Sequence, residues 1–271
     1  MLGSALRRAF ANDAQTVVLS PGRGELDLAD SGAVGTYLRA EGIDAVVHCA
    51  AKVGGIAANV ADPTGFLADN LGPTLNLLRT SLESGIGDLI FVGSSCMYPK
   101  DWPGELSEAE LLRAPLEPTN EGYALAKIVG AKFCEYASKQ FGVNYRTVIP
   151  CNLYGPGDSF DPAKSHLVAA CLMKAHLARD SGDLAVDVWG DGQARREFLF
   201  IDDLAEFMVS EHHRSGDWPQ YLNLGAGVDH TIDEYYLAAA ASVGVEISLR
   251  HDTSKPVGMK RKLLDSSLAR G

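Results

Sequence analysis

The sequence predicts an α/β fold built on a parallel sheet, and three observations carry that prediction. Short β-rich runs recur along the chain as far as Ile149, at Thr16–Ser20, Ala45–Cys49, Leu89–Val92 and Tyr145–Ile149. Longer segments of helical character separate them, over residues 31–41, 62–83 and 123–140. The central run, Leu89 to Val92, is short, continuous and bounded by Gly93, as expected of a buried parallel strand.

Each element follows in chain order. Residues 1–12 read as an amphipathic helix opening on Met1, Leu2 and Gly3. The strand Thr16–Ser20 leads into a loop over 21–24, where Arg23 offers a guanidinium for a cofactor phosphate. After the strand 45–49, Ala50 and Ala51 are small enough to let a cofactor approach the backbone. Asp62 and Pro63 open the long helix to about residue 83, with Asn70 and Asn76 inside it. Residues 101–120 are a polar loop without periodicity, of the kind that borders active sites. Pro150 to Pro156 form a turn after the strand 145–149. Beyond Asp158 come a helix at 165–179, short strands at 186–190 and 196–201 around a Gly-bearing turn, and a helix capped by Asp202. A strand at 221–225 returns toward the sheet, a helix runs from Ile232 to about Ser242, and a last strand spans 247–250. Residues 262–271 look like the start of further helix. The division expected is a first domain over 1–157 and a smaller lobe over 158–271, with parts of 197–231 returning to the first domain.

Composition narrows the function classes. A chain of 271 residues with 46% hydrophobic content suits one large domain or a domain with a smaller lobe. No apolar run approaches the roughly 18 residues of a membrane span, and a net charge of −11 disfavours coating nucleic acid. Five cysteines, odd in number and without a Cys-x-x-Cys spacing, suggest neither a disulfide framework nor a zinc site, and the seven histidines show no metal spacing. Cytoplasm is the default compartment.

The chemistry concentrates between Leu89 and Lys127. Ser94, Ser95 and Cys96 fall at the carboxyl end of a strand, the edge at which open α/β sheets bind ligands. Tyr123 and Lys127 are four residues apart on one helix face. An ammonium there favours the phenolate, so the phenol can exchange a proton near neutral pH, as ketone reduction requires.

Several segments together resemble the extended short-chain dehydrogenase/reductase family, and within it the GDP-L-fucose synthases. They are His48 to Ile56, Gly93 to Lys100, Leu116 to Tyr123, Asn152 to Pro156, Ser165-His166, and Val188 to Gly190 through Arg196 to Leu199. The resemblance spans essentially the whole chain. It implies a Rossmann-type doubly wound sheet, a small C-terminal α/β substrate lobe and NADP(H) as cofactor. The implied reaction is epimerisation of a GDP-4-keto-6-deoxy sugar at C3 and C5, followed by reduction at C4. It casts Tyr123 as proton donor, Lys127 as its helper, Ser94 as holder of the ketone oxygen, and Cys96 and His166 as the acid/base pair. Gly3, Asp27, Asn152 and Leu153 become cofactor contacts beside Arg23, Ala50, Ala51, Lys127 and His166. Lys174, Trp189, Arg196 and Lys255 become contacts to the nucleotide, the basic residues for diphosphate and the Trp for guanine. A homodimer through the helices at 62–83 and 123–140 is implied as well.

The pattern departs from the family at Gly122, where Pro is usual, and at Val257, where an acidic residue is usual. The family's first strand and first two fingerprint glycines have no counterpart before Met1, and family members continue beyond Gly271. The chain therefore reads as truncated at both ends, with weak NADPH binding and weak activity expected. Two rivals stand beside this reading: a sister enzyme on another nucleotide 4-keto sugar, which Val257 keeps open, and a catalytically silent dinucleotide-fold binding protein.

Overall fold

The computed structural model describes every residue except 12, 14, 15, 162–164 and 271. Helices α1 (Leu2–Phe10) and α2 (Ser31–Ala40) precede strand β1 (Ala45–His48). Helices α3 (Ile56–Ala61) and α4 (Pro63–Glu83) lead to β2 (Asp88–Val92), and α5 (Glu121–Phe141) to β3 (Asn144–Pro150) and β4 (Asn152–Tyr154). The second half adds α6 (Leu167–Ser181), β5 (Ala185–Trp189), β6 (Arg195–Phe200), α7 (Ile201–Glu211), β7 (Tyr221–Leu224) and β8 (Asp229–Thr231). Helix α8 (Ile232–Val243), β9 (Ser248–Asp252), β10 (Arg261–Lys262) and α9 (Ser267–Arg270) complete it.

The main sheet has the order β1-β2-β3-β7, every pair parallel. Side chains alternate across it, and each set meets its own layer of helices. Leu89 and Phe91 of β2 enter a core with Leu78 of α4 and Ala124, Ile128 and Cys134 of α5. Ile90 and Val92 enter a second core with Leu6 and Phe10 of α1 and Leu204 and Met208 of α7. This covering of both faces is the doubly wound arrangement expected. Local chemistry sets the helix ends. The Asp62 carboxylate accepts from Gly65 N at 2.9 Å, with Pro63 in the first turn. Helix α5 stops at Gly142, whose φ of 70° suits glycine.

Two smaller sheets build the rest. Strand β6 is flanked by β4 and β10, both parallel to it, and pairs antiparallel with β8. Strands β5 and β9 pair in parallel beneath α6 and α8, around Cys171, Val186, Val188 and Tyr236.

The structure corrects several sequence expectations. Residues 16–20 form no strand, and Val17 is 88% exposed. The main sheet ends at β1, so this stretch has no ladder to complete, and its β propensity goes unused. The strands expected around the Gly-bearing turn form at 185–189 and 195–200, and they belong to different sheets. The turn after β3 contains β4, and β9 is followed by β10. Asp202 lies in the first turn of α7 without capping it, and accepts instead from Arg8 of α1 at 2.7 Å.

A buried amide ties the second half of the chain to the first. Asn223 on β7 is fully buried. Its Oδ1 accepts from the Tyr98 hydroxyl at 2.6 Å, and its Nδ2 donates to Leu106 O at 2.8 Å and Asp265 O at 2.9 Å. Its own N–H donates to Glu108 Oε1 at 2.7 Å. Truncating such a side chain strands several polar groups away from water. Asn223→Ala should therefore cost about 2–4 kcal/mol in urea denaturation, and Tyr98→Phe roughly 1 kcal/mol. Equal losses in the two variants would mean that Asn223 is not the hub.

Candidate active site

Strand β2 delivers its chain end to the sheet's carboxyl edge. Ser94 caps a short turn over Ser95–Met97, its Oγ accepting from Cys96 N at 3.2 Å. Helix α5 lies close against this end. A Cβ on Gly130 would stand 2.5 Å from the Phe91 ring, so only glycine permits the approach. Lys127 is thereby carried inward to 3% exposure, where its Nζ donates to Val92 O at 2.8 Å. The same ammonium stands 4.9 Å from the Phe91 ring centre and 5.9 Å from that of Tyr123.

The electrostatics follow from this burial. Lys127 is pulled down to about 8, with an opposing pull from Cys49. Burial pushes the Tyr123 phenol up, Cys96 adds to that, and the facing Ser94 hydroxyl opposes it. The phenolate expected beside Lys127 is thus not what this geometry favours. The ammonium is engaged with Val92 O, and Tyr123 is held as a neutral phenol.

Cys96 is half-buried and receives two N–H donors. Asn120 Nδ2 donates to its Sγ at 3.1 Å, and Lys262 Nζ at 3.4 Å. Neither donor stands out in the sequence. Asn120 lies inside the Leu116–Tyr123 segment, but Lys262 sits on a two-residue strand near the chain's end, with no local signal of proximity. His166 immediately precedes α6, without a side-chain cap bond. Burial lowers its pKa, Asp158 opposes this, and Lys262 pushes it further down. Cys96 and His166 thus share Lys262 as a neighbour. Arg196 joins them, since β10 pairs with β6 so that Lys262 and Arg196 are opposite each other. The Arg196 guanidinium donates to Arg195 O at 2.8 Å and Val257 O at 2.9 Å. Cys96 and Glu117 face it and oppose the lowering that burial causes.

The residues expected at a cofactor fall in two places. A Cβ on Gly3 would meet Cys49 Sγ at 3.3 Å, and one on Gly157 would lie 3.9 Å from Met1 Cα. The first turn of α1, the end of β1 and the turn after β4 therefore meet. Ala50 and Ala51 are exposed just beyond β1. Asn152 Nδ2 donates to Glu197 O at 2.8 Å, and Leu153 packs on the α1–α7 core. Arg23 and Asp27 stand on an exposed loop, where Asp27 accepts from Ala29 N at 2.9 Å. Among the described residues, neither contacts the Tyr123 group.

The nucleotide candidates also divide. Trp189 is 42% exposed, with Lys255 Nζ 5.9 Å from its ring centre. Lys174 turns inward, donating to Asp187 O at 2.5 Å and the Tyr236 hydroxyl at 3.2 Å. Of the two departures, Gly122 has a steric reason, because a Cβ there would stand 2.6 Å from Pro63 O. Val257 packs against Gly190, where a Cβ would collide with it.

Residues 1–225 match the NAD dependent epimerase/dehydratase family. The chain is 46% identical over 248 residues to a GDP-L-fucose synthase of Azorhizobium caulinodans, covering 92% of this chain and 80% of that protein. It is 44% identical over 251 residues to a GDP-L-colitose synthase of Yersinia pseudotuberculosis, covering 92% and 82%. A GDP-mannoheptose C4 reductase from Campylobacter jejuni, solved with NADP bound, superposes with a TM-score of 0.88 at 31% identity, covering 99% and 88%.

The depressed lysine sets a test. Between about pH 8 and the ordinary 10.5, the unfolded chain holds a proton at Lys127 that the folded chain has released. Stability therefore rises with pH across that window. Lys127→Met lacks this linkage. Wild type should gain on the variant in denaturation midpoint as pH climbs from about 8 to 10, while ketone reduction by the variant falls by roughly 10²-fold or more. Parallel stability profiles would show that the ammonium is not buried as described.

Proposed function

The chain belongs to the NAD dependent epimerase/dehydratase family, and on that premise we propose that it converts GDP-4-dehydro-6-deoxy-D-mannose to GDP-L-fucose with NADPH. The observation that carries this is the gathering of Ser94, Tyr123 and Lys127 with Cys96, beside the Lys262 that His166 shares. A plain reductase needs the first three alone. A silent binding protein has no need of any of them.

The residues present fit NADP(H). The first turn of α1 has no side-chain cap and no acidic residue, so its N–H groups suit a pyrophosphate. Gly3, Ala50 and Ala51 leave the backbone approachable, Arg23 is available to a phosphate, and Asn152, Leu153, Lys127 and His166 would border the reactive end. When bound, the cofactor supplies the hydride for C4.

The chain's own residues do the rest. Ser94 and Tyr123 hold the C4 oxygen, which stabilises the enolate formed when a neighbouring C–H is deprotonated. Cys96 and His166 serve the two ring faces, removing a proton at C3 or C5 and returning one to the opposite side. Tyr123, kept neutral by burial, then gives its proton to the C4 oxygen while Lys127 fixes the helix beneath it. Trp189 and Lys255 would take the guanine and diphosphate, with Arg196 nearer the sugar. In this reading the lobe of α6, β5, α8 and β9 carries the nucleotide.

A homodimer and a cytoplasmic setting belong to the same proposal. Leu125, Val129 and Tyr136 form an exposed apolar line along α5. All five cysteines are unpaired, which suits a reducing compartment. Val257 favours a second reading, a sister enzyme on another GDP-4-keto sugar, because no carboxylate stands where the family usually has one.

The two half-reactions can be separated. In deuterated water without NADPH, Cys96→Ser should lose label uptake at C3 and C5. On adding NADPH it should yield the unepimerised 4-reduced sugar, since a Ser hydroxyl is too weakly acidic to cycle. Tyr123→Phe should keep the exchange and lose reduction by roughly 10²-fold or more. Wild-type exchange in Cys96→Ser would make Cys96 a packing residue and the chain a plain 4-ketoreductase.

A further inference from the structure

We propose that Lys262 is a positioning residue for Cys96: together with Asn120 it holds the sulfur as a thiolate ready to take a proton from the sugar. The inference rests on the epimerase reading above and adds to it a residue on which that chemistry depends.

Lys262 is 8% exposed. An ammonium that far from water needs an opposite charge or full hydrogen bonding. Among the described residues, no carboxylate forms an ion pair with Lys262, and its Nζ is directed at Cys96 Sγ, 3.4 Å away. Asn120 Nδ2 converges on the same atom at 3.1 Å. Neutral sulfur is a weak acceptor, and two donors closing on it, one of them cationic, suit a thiolate.

The neighbours agree with that assignment. Facing Cys96 are Tyr123 from α5, Arg196 from β6 and Lys262 from β10. Glu117 faces Arg196, and Asp158 and Lys262 face His166. The cleft thus brings two cations, Lys262 and Arg196, to the sulfur, against a phenol that burial keeps neutral. A negative sulfur balances that field better than a neutral one.

The backbone holds Lys262 in place. Its strand pairs with β6 in fixed register. Leu263 O accepts from Leu106 N at 2.9 Å, and Leu264 N donates to Glu197 Oε2 at 3.0 Å. In the proton transfer, the C–H bond beside the ketone breaks, its electron pair becomes the enolate, and an S–H bond forms. Lys262 keeps its own protons throughout.

The test uses the whole chain without substrate. Cys96 is alkylated with iodoacetamide across a pH series and followed by mass on its own peptide. Lys262→Met should move the profile to higher pH and slow alkylation at neutral pH by about tenfold, and Lys262→Arg should restore most of it. Asn120→Ala, which keeps the ammonium, should shift the profile the same way by less. Label uptake at C3 and C5 should fall with the alkylation rate, while KM for the sugar nucleotide holds. An unmoved profile in a folded Lys262→Met or in Asn120→Ala overturns the proposal. So does a raised KM at unchanged kcat, which would make Lys262 a ligand of the substrate. Shifted alkylation in the variants with no label uptake by wild type would overturn the epimerase reading and leave the thiolate cradle standing.

Discussion

A buried ammonium must be given an acceptor, and Lys127 finds one in the last carbonyl of β2. That single hydrogen bond ties the helix carrying the phenol to the strand carrying the serine. It works only because α5 lies close enough, and Gly130 against Phe91 is what allows the closeness. The parallel sheet does the remaining alignment. With β1, β2 and β3 all running one way, their carboxyl ends form one edge, and Gly93 to Cys96 stand on it. Each dependency is local and steric, yet together they decide how the phenol, the ammonium and the serine hydroxyl stand to one another.

The other side of the cleft is made by chain that arrives late. Strand β6 divides its work by alternation. Glu197 points inward, fully buried, and accepts from Gly227 N at 2.7 Å and Leu264 N at 3.0 Å. Its neighbour Arg196 belongs to the Cys96 cleft. The inward residue fixes the segment that bears Lys262, and the outward one meets the sulfur's surroundings. Asn223 performs the same service from β7, holding the loop before α5 and the segment after β10 at once.

The sequence was most informative where the signal is short-range. Short β-rich runs gave β1, β2, β3 and β7, and Asp62 with Pro63 gave the start of α4. The shared helix face of Tyr123 and Lys127 was legible from spacing, and the place of Ser94 and Cys96 after a strand from the apolar run before them, while the roles given to them rest on the resemblance. Three kinds of signal misled or were missing. Thr16–Ser20 has the composition of a strand but no neighbour in the sheet to pair with. The segments at 185–189 and 195–200 read as strands, but their partners β9 and β10 lie far along the chain, and the pairing carries no local signal. The sign of the Tyr123 shift could not be read at all, since it depends on burial and on where the Lys127 ammonium is directed. Lys262 was hidden for a related reason: its importance is a matter of tertiary contact alone.

The wide separation of Cys96 from its two donors has a consequence for the order in which the molecule assembles. Asn120 is 24 residues away and Lys262 is 166. Closing the longer loop has an entropic cost that nearby contacts do not bear, so the contact of Lys262 with Cys96 costs more to close than that of Asn120. Until β10 docks on β6, Lys262 cannot stand beside Cys96. The Cys96–Lys262 contact is thus present only in a chain whose β10 has docked, which makes it a marker of the finished cleft.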